Sequence, residues 1–75
     1  MADPRWSPLF SHSTGEIDDL PGYTSRTEAV LHGRAISADQ PGTEFEMMVR
    51  TGDEPWRSAS GGLSVAEVQS MRWAA

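Results

Sequence analysis

The chain has 75 residues, no cysteine and a formal net charge of −5. Its length fits one small domain, residues 1–75, and without cysteine it can form neither disulfides nor thiolate metal sites. The excess of carboxylates over arginines repels phosphate backbones and anionic lipid, so the overall charge disfavours nonspecific nucleic-acid and membrane binding.

The N-terminal segment favours extended structure. A flexible arm is predicted for residues 1–5, followed by a short strand over residues 6–12, where the alternation places Trp6 and Pro8 on the same side. Because proline cannot donate a ladder hydrogen bond, Pro8 predicts that this strand lies at the edge of its sheet. Residues 16–20 are a weaker candidate for a second strand, since their two adjacent aspartates are disfavoured in sheets.

A first helix is predicted over about residues 25–38. Ser25 and Glu28 match the capping box, in which the serine hydroxyl accepts the amide hydrogen of the residue three positions later. The apolar residues of this helix fall on two nearly opposite faces, with Ala29, Gly33 and Ile36 on one and Leu31, Ala35 and Ala38 on the other. A helix that is apolar on two sides is usually covered on both, here by the C-terminal helix or by another subunit.

The strongest strand pattern follows at residues 43–50, where apolar and mostly polar residues alternate. A turn signal at residues 51–54 then predicts a hairpin over residues 43–60. Phe45 and Met47 are expected to face the core, and Trp56 is expected to pack against them.

A second helix is predicted over residues 64–73. Ser64 and Glu67 form another capping box, and Leu63 and Val68 have the spacing of a hydrophobic staple. The sequence therefore predicts an α+β domain. Its small antiparallel sheet consists of the hairpin and the N-terminal edge strand and packs against the first helix, with the C-terminal helix alongside.

No motif indicates catalysis. His12 precedes Glu16, Asp18 and Asp19, which are oxygen and imidazole ligand types, but their spacing matches no known metal loop, so they are interpreted as a solvated acidic turn. The serines lie in no Gly-x-Ser-x-Gly motif. We therefore expect no enzyme activity, no metal site and no cofactor.

Every tryptophan lies beside an arginine: Arg5-Trp6, Trp56-Arg57 and Arg72-Trp73. Both residue types are enriched at protein interfaces. Adjacent residues point to opposite faces of a strand and diverge by about 100° on a helix, so we interpret each pair as a boundary with Trp toward the core and Arg toward water or a partner. Trp6 is the one ring expected near an interface. The predicted partner-binding residues are Arg5, Trp6, Arg50, Arg57 and Arg72.

Three functions fit this sequence. The favoured one is a small acidic, non-enzymatic protein-interaction module, an accessory or inhibitory protein of phage or mobile-element type, which binds a protein partner by edge pairing or anchor residues, or associates with itself. The alternative is a nucleic-acid-associated protein that uses an Arg/Trp sheet face for stacking and phosphate contacts. A homodimeric structural protein without a ligand ranks third.

Location is inferred from missing signals. No apolar run approaches the about 20 residues that span a bilayer, and the N-terminus lacks a secretory signal pattern. We therefore expect no membrane partner and a cytoplasmic protein.

Overall fold

The computed structural model describes residues 3–11 and 20–73. Its elements are β1 (Pro4–Phe10), α1 (Arg26–Asp39), β2 (Phe45–Thr51), β3 (Arg57–Ser58) and α2 (Val65–Arg72). Within the described residues the strands form one antiparallel sheet in the order β1-β2-β3. This small α+β fold confirms the predicted class. The second strand predicted over residues 16–20 lies outside the described residues except for Leu20, which is not in a strand.

β1 is an edge strand, as Pro8 indicated. It begins at Pro4, so Pro4 and Arg5 of the expected arm belong to the strand and pair with Thr51 and Arg50. At its outer edge, the Trp6 amide donates to the Tyr23 carbonyl at 2.9 Å, and the Tyr23 amide donates back at 2.8 Å. The backbone nitrogen of Pro8 faces the same side and has no hydrogen to donate. The outer edge of β1 therefore offers little for another strand to pair with.

The opposite edge of the sheet is closed by its own loop. β3 is only two residues long, and the buried Ser58, 3% exposed, organises the turn that follows it. Its amide donates to the Leu63 carbonyl at 2.7 Å, while its hydroxyl oxygen accepts the amides of Gly61 and Leu63 at 3.2 and 2.9 Å. Residues 61–64 therefore cover the ladder groups that a partner strand would use.

The two helices lie on opposite faces of the sheet. On one face, Leu9 and Met48 form the buried core with Trp56 and with Val68 of α2. On the other face, the ring of Phe45 lies against α1 at Gly33, because successive strand residues point to opposite sides. The sequence predicted that α2 lies alongside α1. Instead, α2 lies on the opposite face of the sheet and cannot cover the second apolar face of α1.

The β2 residue that lies in the buried core is not one of those that the sequence predicted. Met48 is fully buried, whereas Phe45 and Met47, the residues expected to face the core, are half-buried on the α1 side. Trp56 is buried as predicted, at 7% exposure, but its core neighbours are Leu9 and Met48. The alternation pointed to one apolar face, but a helix covers each face of this sheet, so both sets of side chains are packed.

Both helices start where the capping patterns predict. In α1 the Ser25 hydroxyl accepts the Glu28 amide at 3.4 Å. In α2 the box is complete, since the Ser64 hydroxyl accepts the Glu67 amide at 3.1 Å and a Glu67 carboxylate oxygen accepts the Ser64 amide at 3.2 Å. The expected helix boundaries differ from the observed ones by one residue.

Candidate binding surfaces

The structure divides the predicted partner-binding residues between the two faces of the sheet. Arg5 and Arg50 are cross-strand partners on the α2 side. Trp6 and Arg57 both pair with Val49, from opposite sides of β2, and lie on the α1 side. Arg72 lies in the last turn of α2. These five residues therefore do not form one surface.

Arg50 and Arg72 are already engaged within the molecule. The Arg50 guanidinium lies 5.5 Å from the centre of the Trp56 ring, its Nε donates to the Gly52 carbonyl at 3.0 Å, and its Nη2 lies 3.9 Å from an Asp53 carboxylate oxygen. Arg72 Nε lies 3.8 Å from a carboxylate oxygen of Glu46. Both arginines therefore already have contacts within the molecule that a partner would have to displace.

Of the three other predicted residues, two are exposed and one is half-buried. Arg5 and Arg57 are exposed, and among the described residues neither forms an ion pair. Trp6 is half-buried, and the Arg26 guanidinium lies 6.0 Å from the centre of its ring. Arg5 and Arg57 are thus both exposed, on opposite faces of the sheet.

No common face of arginines and exposed aromatic rings forms among the described residues. Trp56 is buried, and the half-buried Trp73 packs against the same core. The indole N–H groups of Trp56 and Trp73 are also buried, without a hydrogen-bond partner in the described part of the chain. These two rings are therefore used for packing and are not available as stacking platforms.

A groove of about 370 Å³ lies beside the start of α2. Its lining includes the core residue Trp56 and three charged residues, Arg50, Asp53 and Glu54. The guanidinium is already held by Trp56 and Asp53, and the two carboxylates oppose an anion. The groove therefore shows no clear preference for one kind of ligand. It is lined by Arg50, Asp53, Glu54, Pro55, Trp56, Ser64, Val65 and Ala66.

The side of α1 that points away from the sheet is a second candidate surface. Leu31 is 59% exposed there, and Ala35 and Ala38 are exposed on the same side. A depression of about 190 Å³ adjoins Leu31 and is lined by Arg26, Thr27, Val30, Leu31 and Arg34. We call Leu31, Ala35 and Ala38 the outer stripe of α1. The sequence predicted this second apolar face of α1, but the predicted partner-binding residues were placed mainly at the Arg–Trp pairs.

Opposite charges border the outer stripe. At about 100° per residue, Arg34 lies on one side of it, and Glu28 and Asp39 lie on the other. All three side chains are exposed, and none has an ion-pair partner within the described ranges. The stripe is thus an apolar strip with a cationic and an anionic border.

Some expectations lie outside the described residues, including the acidic turn after Ser11 with His12, Glu16, Asp18 and Asp19. Over residues 3–11 and 20–73, no group of three or more His, Asp or Glu side chains is placed to hold a metal ion. In the same ranges no helix has the length and apolar character needed to cross a membrane. No protein-family model, curated protein or solved structure matches the chain significantly.

Proposed function

We propose that this protein is a non-enzymatic protein-interaction module that binds a protein partner through the outer stripe of α1. The observation that carries the proposal is the exposure of Leu31, at 59%, as the largest side chain of an apolar strip with charged borders. An apolar centre inside a polar rim is the usual organisation of a protein interface, and an exposed apolar patch often marks such a site.

The closed sheet edges support recognition by a helix face. Tyr23 and Pro8 block the outer edge of β1, and residues 61–64 cover β3. Strand addition needs a free edge with unpaired amides and carbonyls. A helix face needs only side chains that can enter a partner's groove or pack against a partner's helix, and α1 presents such side chains.

The nucleic-acid alternative has less support. It requires exposed rings beside arginines, but Trp56 is buried, and Trp6 and Arg57 lie on the opposite face from Arg5 and Arg50. The net charge of −5 also opposes a phosphate backbone.

The proposal is tested by capture from a host lysate with the wild-type chain and the variant Leu31→Glu. Because a carboxylate buried at an interface without a partner costs more than about 1.4 kcal/mol, capture should weaken at least about tenfold. Met71→Glu is the matched control, since Met71 is exposed to a similar degree, at 69%, but lies on α2. This control should capture the partner as the wild type does, both with and without nuclease.

If the wild type captures a protein and Leu31→Glu captures the same protein equally well, that protein does not bind the outer stripe. Capture that disappears after nuclease treatment would favour the nucleic-acid alternative.

A further inference from the structure

We propose that the partner of the outer stripe is a second copy of this chain, with the two α1 helices packed side by side in parallel. This inference rests on the proposed function and names its partner. Two features of the described structure carry it, the spacing of the apolar residues along α1 and the arrangement of charges on either side of them.

The apolar spacing is that of a short coiled-coil seam. Leu31, Ala35 and Ala38 follow each other at steps of four and three residues, the spacing of d, a and d positions in a heptad. The side of α1 that holds Ala29 and Gly33 is buried against the sheet, so the seam points directly away from the rest of the domain. Two small residues in the seam allow the two helix backbones to approach closely.

The charges select the parallel orientation. In this heptad Arg34 is at a g position and Asp39 is at the following e position, and in a parallel pair g and e residues five positions apart form ion pairs between the chains. Arg34 of each copy would therefore meet Asp39 of the other copy, which gives two ion pairs by symmetry. In an antiparallel pair each border meets its own equivalent, which would place Arg34 beside Arg34 and oppose association.

The contact is short. Glu28 occupies the a position before Leu31, where two copies would bring like charges together, so the seam begins at Leu31 and ends at Ala38, one residue before the end of α1. Stable interfaces bury about 1,200–2,000 Å² in total, more than three side chains and their neighbours supply. The dimer is therefore weak and dependent on concentration.

The test uses two charge reversals, Arg34→Asp and Asp39→Arg, in sedimentation velocity experiments on the purified chain. The wild type should shift from monomer toward dimer as its concentration rises to about 1 mM, a range that detects weak association. Each variant alone should remain monomeric, because its dimer would oppose two pairs of like charges. An equimolar mixture of the two variants should associate again, since in the mixed dimer each side chain at position 34 faces one of opposite charge at position 39.

This mixture separates recognition from folding, because a variant damaged in its fold would not recover on mixing with another. A wild type that stays monomeric over the whole range would overturn the inference, as would a mixture no more associated than the separate variants.

The orientation has its own test. Because the chain contains no cysteine, Ala38→Cys introduces a single thiol at the seam, where parallel packing brings the two copies within disulfide reach. Mild oxidation should give a covalent dimer with Ala38→Cys and much less with Ala59→Cys, a matched exposed position on the loop after β3. Equal yields from the two variants would contradict the parallel arrangement.

The two proposals can fail separately. A wild type that is monomeric alone but captures a lysate protein in a Leu31-dependent way refutes the second copy and keeps the interaction module. If Leu31→Glu changes neither self-association nor capture, both proposals are wrong.

Discussion

At the residue scale, the contact between Gly33 and Phe45 shows how one small residue permits the packing of a helix on a sheet. A Cβ atom at position 33 would lie 2.7 Å from Phe45 Cε2 and 2.8 Å from Phe45 Cζ, far inside normal contact distance. Glycine is a poor helix residue, so its position inside α1 is explained by this close approach and not by backbone conformation.

Gly33→Ala should destabilise the protein despite the better helix propensity of alanine. Alanine contributes about 1 kcal/mol in a helix relative to glycine, whereas overpacking costs about 1–3 kcal/mol, so we expect a net loss in the free energy of unfolding measured in urea. In a Phe45→Leu background the same substitution should become neutral or stabilising, because the ring is gone. Equal effects in both backgrounds would show that the contact with Phe45 does not limit this position.

Contacts of single residues also decide which arginines of the predicted site are available to a partner. The sequence identified the Arg–Trp pairs and predicted that Trp56 is buried, but it could not show that the Arg50 guanidinium lies over that ring or that Arg72 approaches Glu46. Those contacts join elements that are distant in sequence, so only the folded chain reveals which arginines remain available to a partner.

At the element scale, the helix starts and the edge position of β1 were the most predictable features. The capping boxes at Ser25 and Ser64 depend on residues three positions apart, and Pro8 lacks a donor wherever it lies. Such signals are local, so the surrounding fold changes them little. β3 was less predictable, because its two residues are held by the Ser58 hydroxyl and by residues 61–64.

The complete capping box of α2 should matter more than the partial one of α1. Ser64→Ala removes a hydrogen bond of 3.1 Å to the Ser64 hydroxyl, which is one half of the reciprocal capping box of an 8-residue helix. Ser25→Ala removes a single hydrogen bond of 3.4 Å from a helix of 14 residues. Loss of a cap costs about 0.5–2 kcal/mol, and we expect Ser64→Ala to lie in the upper part of this range and Ser25→Ala in the lower part.

Urea unfolding of the two single variants provides this comparison, and each serves as the matched control for the other. A larger loss for Ser25→Ala would mean that cap geometry does not determine the stability of these helix starts.

At the scale of the whole molecule, the small sheet is packed on both faces. α1 covers one face at Phe45, and α2 covers the other at Met48. A chain of this size has a stability of about 3–5 kcal/mol from a single core, so each fully buried side chain represents a large share of the total. The arrangement also leaves the outer stripe of α1 without a cover from α2.

Met48→Ala should therefore be among the most damaging substitutions in β2. Met48 is fully buried, and truncation of a buried methionine costs about 2–5 kcal/mol, comparable to the whole stability. Met47→Ala is the matched control, since Met47 is half-buried on the other face and should cost clearly less. If thermal unfolding showed the larger loss for Met47→Ala, the assignment of the main core to the α2 face would be wrong.

Residue spacing and backbone chemistry were sufficient to predict the α+β class, the starts of both helices, the edge position of β1 and the two apolar faces of α1. Each of these depends on residues within a few positions of one another. Only the folded chain shows that Met48 and not Met47 lies in the core, that α2 lies on the opposite face from α1, and that Leu31 remains exposed. These features depend on which face of the sheet each helix covers, and alternation along a strand is the same whether one face is packed or both.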